Sequence, residues 1–186
     1  SHVSTMAVAG HRQSEVVHED EAIEWTRSDY DPYGRTKKFA EHLLEELLGD
    51  VPITVFRPTT VLGDSRFPDT TQFDMLRAFV WLAHLPVLPL PSTARIDIVP
   101  ADYVGRAIVH LHQSEQPRPR IYHLGAGCAS PTYQAICDAL VSRGHSVRPL
   151  FAPRLGRAFE TLVRVGAATP RSWRLAPAMS LLQVFW

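Results

Sequence analysis

Asp31-Pro32-Tyr33-Gly34-Arg35-Thr36-Lys37 reads as the opening of a helix. Aspartate is a strong N-cap residue, and proline fits the first helical position, where its missing N–H costs nothing. Phe39, Ala40, Leu43, Leu44, Leu47 and Leu48 then recur at spacings of three and four, with Glu41, Glu45 and Glu46 between them. That period predicts an apolar stripe packed inward and glutamates turned to solvent. Gly49 and Pro52 predict where the helix ends. Residues i and i+4 share a helical face, so Lys37 is expected to lie beside the Tyr33 ring. A cation next to a phenol favours its ionised form, as suits a group that gives or takes a proton near neutral pH. Lys37 and Lys38 are the only lysines among 19 basic side chains, which makes a lysine at this spacing informative.

Both flanks of this helix read as strands. Upstream, His2-Val3-Ser4-Thr5-Met6-Ala7-Val8-Ala9-Gly10 has the pattern of a buried strand ending in hydroxyl residues. Residues 11–29 are polar and predict a surface loop entering the helix. Downstream, Val51 to Phe56 is short and β-branched, as an interior parallel strand would be, and it runs into Arg57-Pro58-Thr59-Thr60-Val61-Leu62-Gly63. Arg95 to Val99 and Ile121 to Leu124 are further strands. A helix follows each, one with Val104, Ala107, Ile108 and Leu111 on a single face. The other is capped at Ser130-Pro131, carries Ile136, Cys137, Leu140 and Val141, and stops at Gly144. Strand-then-helix alternation predicts an α/β fold with a parallel sheet. Residues 64–94 are irregular and proline-rich apart from a helix expected over Phe73 to His84. Leu155, Phe159, Leu162 and Val163 predict one last amphipathic helix.

Composition excludes several classes. The 186 residues are 45% hydrophobic, enough for a real core, and the formal net charge is zero, with arginines scattered, the densest region running from Arg118 to Arg157. Nothing there suits a nucleic-acid partner. Cys128 and Cys137 lack metal-binding or disulfide-framework spacing, which fits a reduced, cytoplasmic setting. His110 and His112 sit at i, i+2, on different faces of the expected helix and without a carboxylate cluster, so no metal site is expected. The longest apolar stretches are too short to span a bilayer.

A hydroxyl-bearing strand end, a Tyr33/Lys37 helix and a strand ending in Arg57-Pro58 before Val61-Leu62-Gly63 resemble the extended short-chain dehydrogenase/reductase superfamily. Ser4-Thr5-Met6-Ala7-Val8-Ala9-Gly10, the run from Arg57 to Arg66, and Ile98-Val99-Pro100-Ala101-Asp102-Tyr103-Val104 are similar to its branch of thioester reductases and fatty acyl-CoA reductases. The resemblance covers about residues 1–145. It implies a Rossmann-like doubly wound parallel sheet with a small substrate-binding region. It also implies an NAD(P)-dependent enzyme, with NADPH favoured, that reduces an acyl thioester or related carbonyl, free or bound to a carrier protein, to aldehyde or alcohol.

By the same resemblance, Tyr33 is the proton donor and Lys37 its partner and a ligand of the nicotinamide ribose. Thr5, or less well its neighbour Ser4, is the second hydroxyl on the carbonyl oxygen. Pro58, Thr59, Thr60 and Val61 pass the nicotinamide edge, and Tyr30 lines substrate or packs. One departure stands out. None of the ten glycines forms the G-x-x-G-x-x-G or G-x-G-x-x-G turn that holds a dinucleotide pyrophosphate; Gly125 and Gly127 follow a strand but have no third partner. Residues 1–150 are therefore expected to be the C-terminal half of such a reductase domain. Residues 151–186 are expected to be a helical, truncated continuation.

Two other readings share these features. A nucleotide-sugar epimerase or dehydratase uses the same Thr/Tyr/Lys set, and a non-catalytic binding domain would keep the fold alone. Phe73, Met75, Leu76, Phe79, Trp81 and Leu85 have the bulk to wall an acyl channel, which favours the reductase.

Overall fold

The computed structural model describes residues 1–12, 16–29, 31–67, 80, 83–114, 120–146 and 148–168. The chain packs as two units, one of residues 1–70 and 97–127, the other of residues 71–96 and 128–186.

In the first unit three parallel strands lie in the order β1 (His2–Val3), β2 (Val55–Pro58), β6 (Ile121–Leu124). A second parallel pair joins β3 (Thr60–Val61) to β5 (Ile98–Val99). Because side chains alternate along a strand, β2 and β6 present two unlike faces. Phe56, Tyr122 and Leu124 point one way, joining Val99 and Val104 in an apolar cluster. Val104, Ala107, Ile108 and Leu111 belong to α2 (Ala101–His112), so the face expected for this helix is the one that packs.

The other face of the sheet carries His2, Arg57 and His123 beside Val55 and Ile121, and lies against α1 (Pro32–Leu47). Asp31 caps this helix as expected, accepting from the Gly34 N–H at 2.7 Å, with Pro32 at its first position. Its buried side departs in part from the expected one: Ala40 and Leu44 are partly buried and Glu45 and Glu46 exposed, as expected. Gly34, Lys38 and Glu41 are buried, whereas Phe39, Leu43 and Leu47 are exposed, with the Trp25 ring 5.3 Å from that of Phe39. The reason is charge matching. The Arg57 guanidinium on β2 donates Nε to Glu41 Oε1 at 3.1 Å and Nη2 to Oε2 at 2.7 Å. The Lys38 ammonium lies 2.6 Å from Asp29 Oδ1. Pairing with carboxylates, bidentate at Arg57 and single at Lys38, holds these charges inside the fold.

His2 on β1 and His123 on β6 share this face. Burial lowers the pKa of both, helped by the Lys37 ammonium at His2 and the Arg57 guanidinium at His123. The unfolded chain therefore takes up protons more readily as pH falls below about 6.5. This contribution to stability is complete above that pH and is lost as pH drops toward the lowered folded values. Urea midpoints followed by circular dichroism are expected to fall between pH 7.5 and pH 5.5, and to fall less in His123→Gln. A midpoint that stays level over that interval contradicts the assignment.

The second unit carries two short strands, β4 (Val87–Leu88) and β7 (Leu150–Phe151), paired in parallel. Neither was expected, since two residues are too few to show a period. Its core holds Ala83, Leu88 and Cys137, with Tyr133, Leu140, Phe151 and Phe159 packed around them. Helix α3 (Tyr133–Ser142) is capped by Thr132, whose Oγ1 accepts from the Ala135 N–H at 3.1 Å, and not by Ser130-Pro131. Helix α4 (Gly156–Ala168) follows a 3-10 turn at Pro153–Leu155. Phe159 packs inward, while Leu155 and Leu162 are exposed, contrary to the expected stripe. Leu85 joins this core. The other residues named for an acyl channel, Phe73, Met75, Leu76, Phe79 and Trp81, lie outside the described residues, as does Tyr30. No described helix is long and apolar enough to cross a membrane.

Candidate active site

The carboxyl-terminal ends of parallel strands are where ligands bind in open α/β sheets. Here that edge of the first unit gathers the ends of β1, β2 and β6, and it receives the first turns of α1.

After β1 the chain does not continue as the expected longer strand. It turns at Thr5 into a 3-10 turn, Met6–Ala9, and leaves through Gly10 at φ 68°. Thr5 is its N-cap, with Oγ1 accepting from the Ala7 N–H at 3.2 Å. A hydroxyl that accepts still has its own proton to donate. Ser4 Oγ is buried without a hydrogen-bond partner.

Gly34 brings the helix onto this turn. A Cβ added at Gly34 would lie 3.2 Å from the Ala7 carbonyl oxygen and 3.4 Å from its methyl group, so a larger residue would push α1 away. The close approach sets Tyr33, the preceding residue, beside the segment that Thr5 caps. Tyr33 is half-exposed. Lys37 Nζ lies 5.9 Å from the Tyr33 ring centroid and donates to the Val3 carbonyl at 3.0 Å. The shared face expected from the i, i+4 spacing is thus present. The bond to Val3 ties it to the strand that leads to Thr5, and the ammonium keeps two further donors.

Pro58 ends β2, opposite Leu124. The Thr59 N–H donates to the Leu124 carbonyl at 3.0 Å, and the Thr60 N–H to the Asp97 carbonyl at 3.2 Å. The Leu62 N–H donates to the Val99 carbonyl at 3.0 Å. Alternate residues of a parallel strand bond to the same neighbour, so the Val61 amide is directed away from β5. Of the segment expected at the nicotinamide edge, strand pairing engages the donors of Thr59 and Thr60 and leaves that of Val61 unbonded to β5.

Two carboxylates absent from the sequence-based set hold this segment. Asp97 accepts from Thr59 Oγ1 at 3.0 Å, the Ala126 N–H at 2.8 Å and the Gly127 N–H at 2.9 Å. Asp102, in the first turn of α2, accepts from the Ser65 N–H at 2.8 Å and Oγ at 2.6 Å, and hydrogen bonds from Ser65 hold its pKa below the usual carboxylate range. Three of these five donors are backbone amides, which no side-chain motif reveals.

Residues 1–108 match the NAD-binding family described as male sterility protein. An alcohol-forming fatty acyl-CoA reductase from Simmondsia chinensis is 26% identical over 132 residues, 65% of this chain and 27% of that protein. The terminal R domain from the myxalamid PKS-NRPS biosynthetic pathway superposes with a TM-score of 0.73 at 24% identity, over 98% of this chain and 44% of that one. It shows a common Rossmann-like fold. A UDP-glucuronic acid 4-epimerase from Bacillus cereus, solved in complex with NAD, superposes at 0.58 with 26% identity, over 81% of this chain and 48% of that one. The chain spans between 9% and 27% of the curated relatives it matches.

Proposed function

Since the chain belongs to the male sterility protein family of the extended short-chain dehydrogenase/reductases, we propose that it carries the proton-donating half of an NAD(P)H-dependent reductase of acyl thioesters. The observation behind this reading is the joining of Tyr33 and Lys37 on one face of α1 with the Thr5 turn, through the Gly34–Ala7 approach and the Lys37–Val3 bond. The donors present fit the nicotinamide half of a dinucleotide. Lys37 has two ammonium protons left for ribose hydroxyls, and Val61 offers its amide toward a carboxamide.

A dinucleotide held by Lys37 and the Val61 amide would supply hydride to the carbonyl carbon. Tyr33 gives its phenolic proton to the carbonyl oxygen as charge develops there. The Thr5 hydroxyl donates a second hydrogen bond to the same oxygen, a small oxyanion hole. Lys37 keeps a positive charge beside the Tyr33 ring and so stabilises the ring once it has lost its proton. With a thioester, the carbon–sulfur bond then breaks, the sulfur leaves as a thiol carrying one proton, and an aldehyde remains.

The thioester reading draws on the fatty acyl-CoA reductase relative and the likeness to the R domain; the epimerase likeness supports the runner-up. The full-length protein is expected to oxidise NAD(P)H with a medium-chain acyl thioester and to leave UDP- and dTDP-sugars untouched. Loss of NAD(P)H absorbance reports the thioester, and chromatography of the sugar nucleotide after incubation reports the redox-neutral alternative. Turnover of the sugar nucleotide with none of the thioester favours the epimerase.

A further inference from the structure

The C-terminal edge of the first unit contains a clamp that the proposed chemistry does not yet use. The Asp97 carboxylate receives three donors from two directions. Thr59 Oγ1, at 3.0 Å, comes from the chain that leaves β2; the Ala126 and Gly127 N–H groups, at 2.8 and 2.9 Å, come from the turn after β6. Its main-chain carbonyl also takes the Thr60 N–H at 3.2 Å. One residue therefore fixes Thr59 by side chain and Thr60 by backbone, immediately before the Val61 amide that faces away from β5.

The turn that supplies the amides is shaped for this carboxylate. Gly127 has φ 53°, in the left-handed region that glycine adopts freely. A Cβ on Gly125 would stand 2.6 Å from Thr59 Cγ2 and 2.8 Å from Asp97 Oδ2. Both are distances that side chains do not tolerate, so glycine at 125 is what allows Thr59 and Asp97 to meet. Successive backbone N–H groups in such a turn form an anion-binding concavity. Here the anion is the chain's own aspartate, which gives Gly125 and Gly127 a role other than cradling phosphate.

We propose that Asp97 is a positioning residue for dinucleotide binding, its carboxylate setting the Thr59–Val61 backbone at the height where the Val61 amide meets the nicotinamide. The assignment rests on the reductase reading for what that amide contacts, but the clamp acts before any proton moves. Loss of the clamp therefore appears in cofactor affinity rather than in the turnover of the saturated enzyme.

The test uses the full-length protein in four forms, wild type, Asp97→Asn, Thr59→Val and Thr59→Ser, each checked for folding by its melting curve. Asparagine keeps the shape, but its amide nitrogen cannot accept. Whichever oxygen it replaces, the Gly127 N–H or the Thr59 and Ala126 donors lose a partner. A bond to a charged acceptor is worth enough for a roughly tenfold or larger change in equilibrium constant. Calorimetry with NADH and NADPH is expected to show Kd about tenfold weaker or more in Asp97→Asn and Thr59→Val. Thr59→Ser, which restores the hydroxyl, recovers most of the loss. The dinucleotide KM rises in step, with kcat little changed.

Wild-type Kd in a folded Asp97→Asn overturns the proposal, and so does a lower kcat at unchanged Kd and KM. Where Asp97→Asn does not fold, the Thr59 pair decides, since equal affinity in Thr59→Val and wild type also overturns it. Weakened dinucleotide binding in a protein that reduces no thioester supports the clamp and removes the substrate reading instead.

Discussion

Phenylalanine at position 33 is expected to lower kcat of the full-length protein by about 10²- to 10⁴-fold, the usual worth of a positioned general acid. The ring stays, so its approach to Lys37 Nζ, 5.9 Å from the centroid, is kept and only the proton donor is lost. Tyr33 is half-exposed, and its hydroxyl is not part of the core. The variant should therefore keep its melting temperature and its dinucleotide affinity, so that the loss falls on kcat and kcat/KM together, the signature of an interaction made in the transition state. Lys37→Met is expected to behave differently. It removes the cation over the ring and the bond to Val3, and so costs cofactor affinity as well as turnover. Steady-state kinetics with NADPH and a medium-chain acyl thioester separates the two. Wild-type turnover in Tyr33→Phe would remove Tyr33 from the chemistry.

The second large effect is on stability. The Arg57 and Glu41 side chains are only 4% and 6% exposed, and two hydrogen bonds join them. Glu41→Ala leaves the guanidinium buried without its carboxylate, a change that costs about 3–5 kcal/mol. Taking both charges away with Glu41→Met/Arg57→Met is expected to restore most of that loss, because a pair replaced by apolar groups of similar volume leaves nothing unpaired. Urea unfolding of the wild type, the single variant and the double variant measures both effects. A Glu41→Ala midpoint equal to wild type would show that water reaches the pair and screens it.

That ion pair also marks where sequence reading of α1 went astray. The start of the helix was legible because its signals are local: Asp31 caps it and Pro32 fits its first position. The Tyr33/Lys37 face followed from helical geometry alone. Which residues of α1 are buried did not wholly follow, since period analysis assumes that leucines go inside and glutamates outside. Glu41 is buried because Arg57 meets it from β2, sixteen residues away, and Lys38 because Asp29 meets it from the preceding loop. Helix α2 was read correctly because its apolar stripe faces an apolar sheet surface, so period and packing agree.

The amino-acid order by itself determined the alternation of strands and helices and the shared face of Tyr33 and Lys37, because propensity, capping and helical spacing are local signals. Only the tertiary structure decided the buried ion pairs of α1, the β4–β7 pairing and the Asp97 clamp. Two-residue strands carry no period, and Asp97 draws on Thr59, Ala126 and Gly127 from across the fold. Two of those three donors are backbone amides, which every residue except proline possesses, so their convergence on one carboxylate becomes visible only once the chain has closed around it.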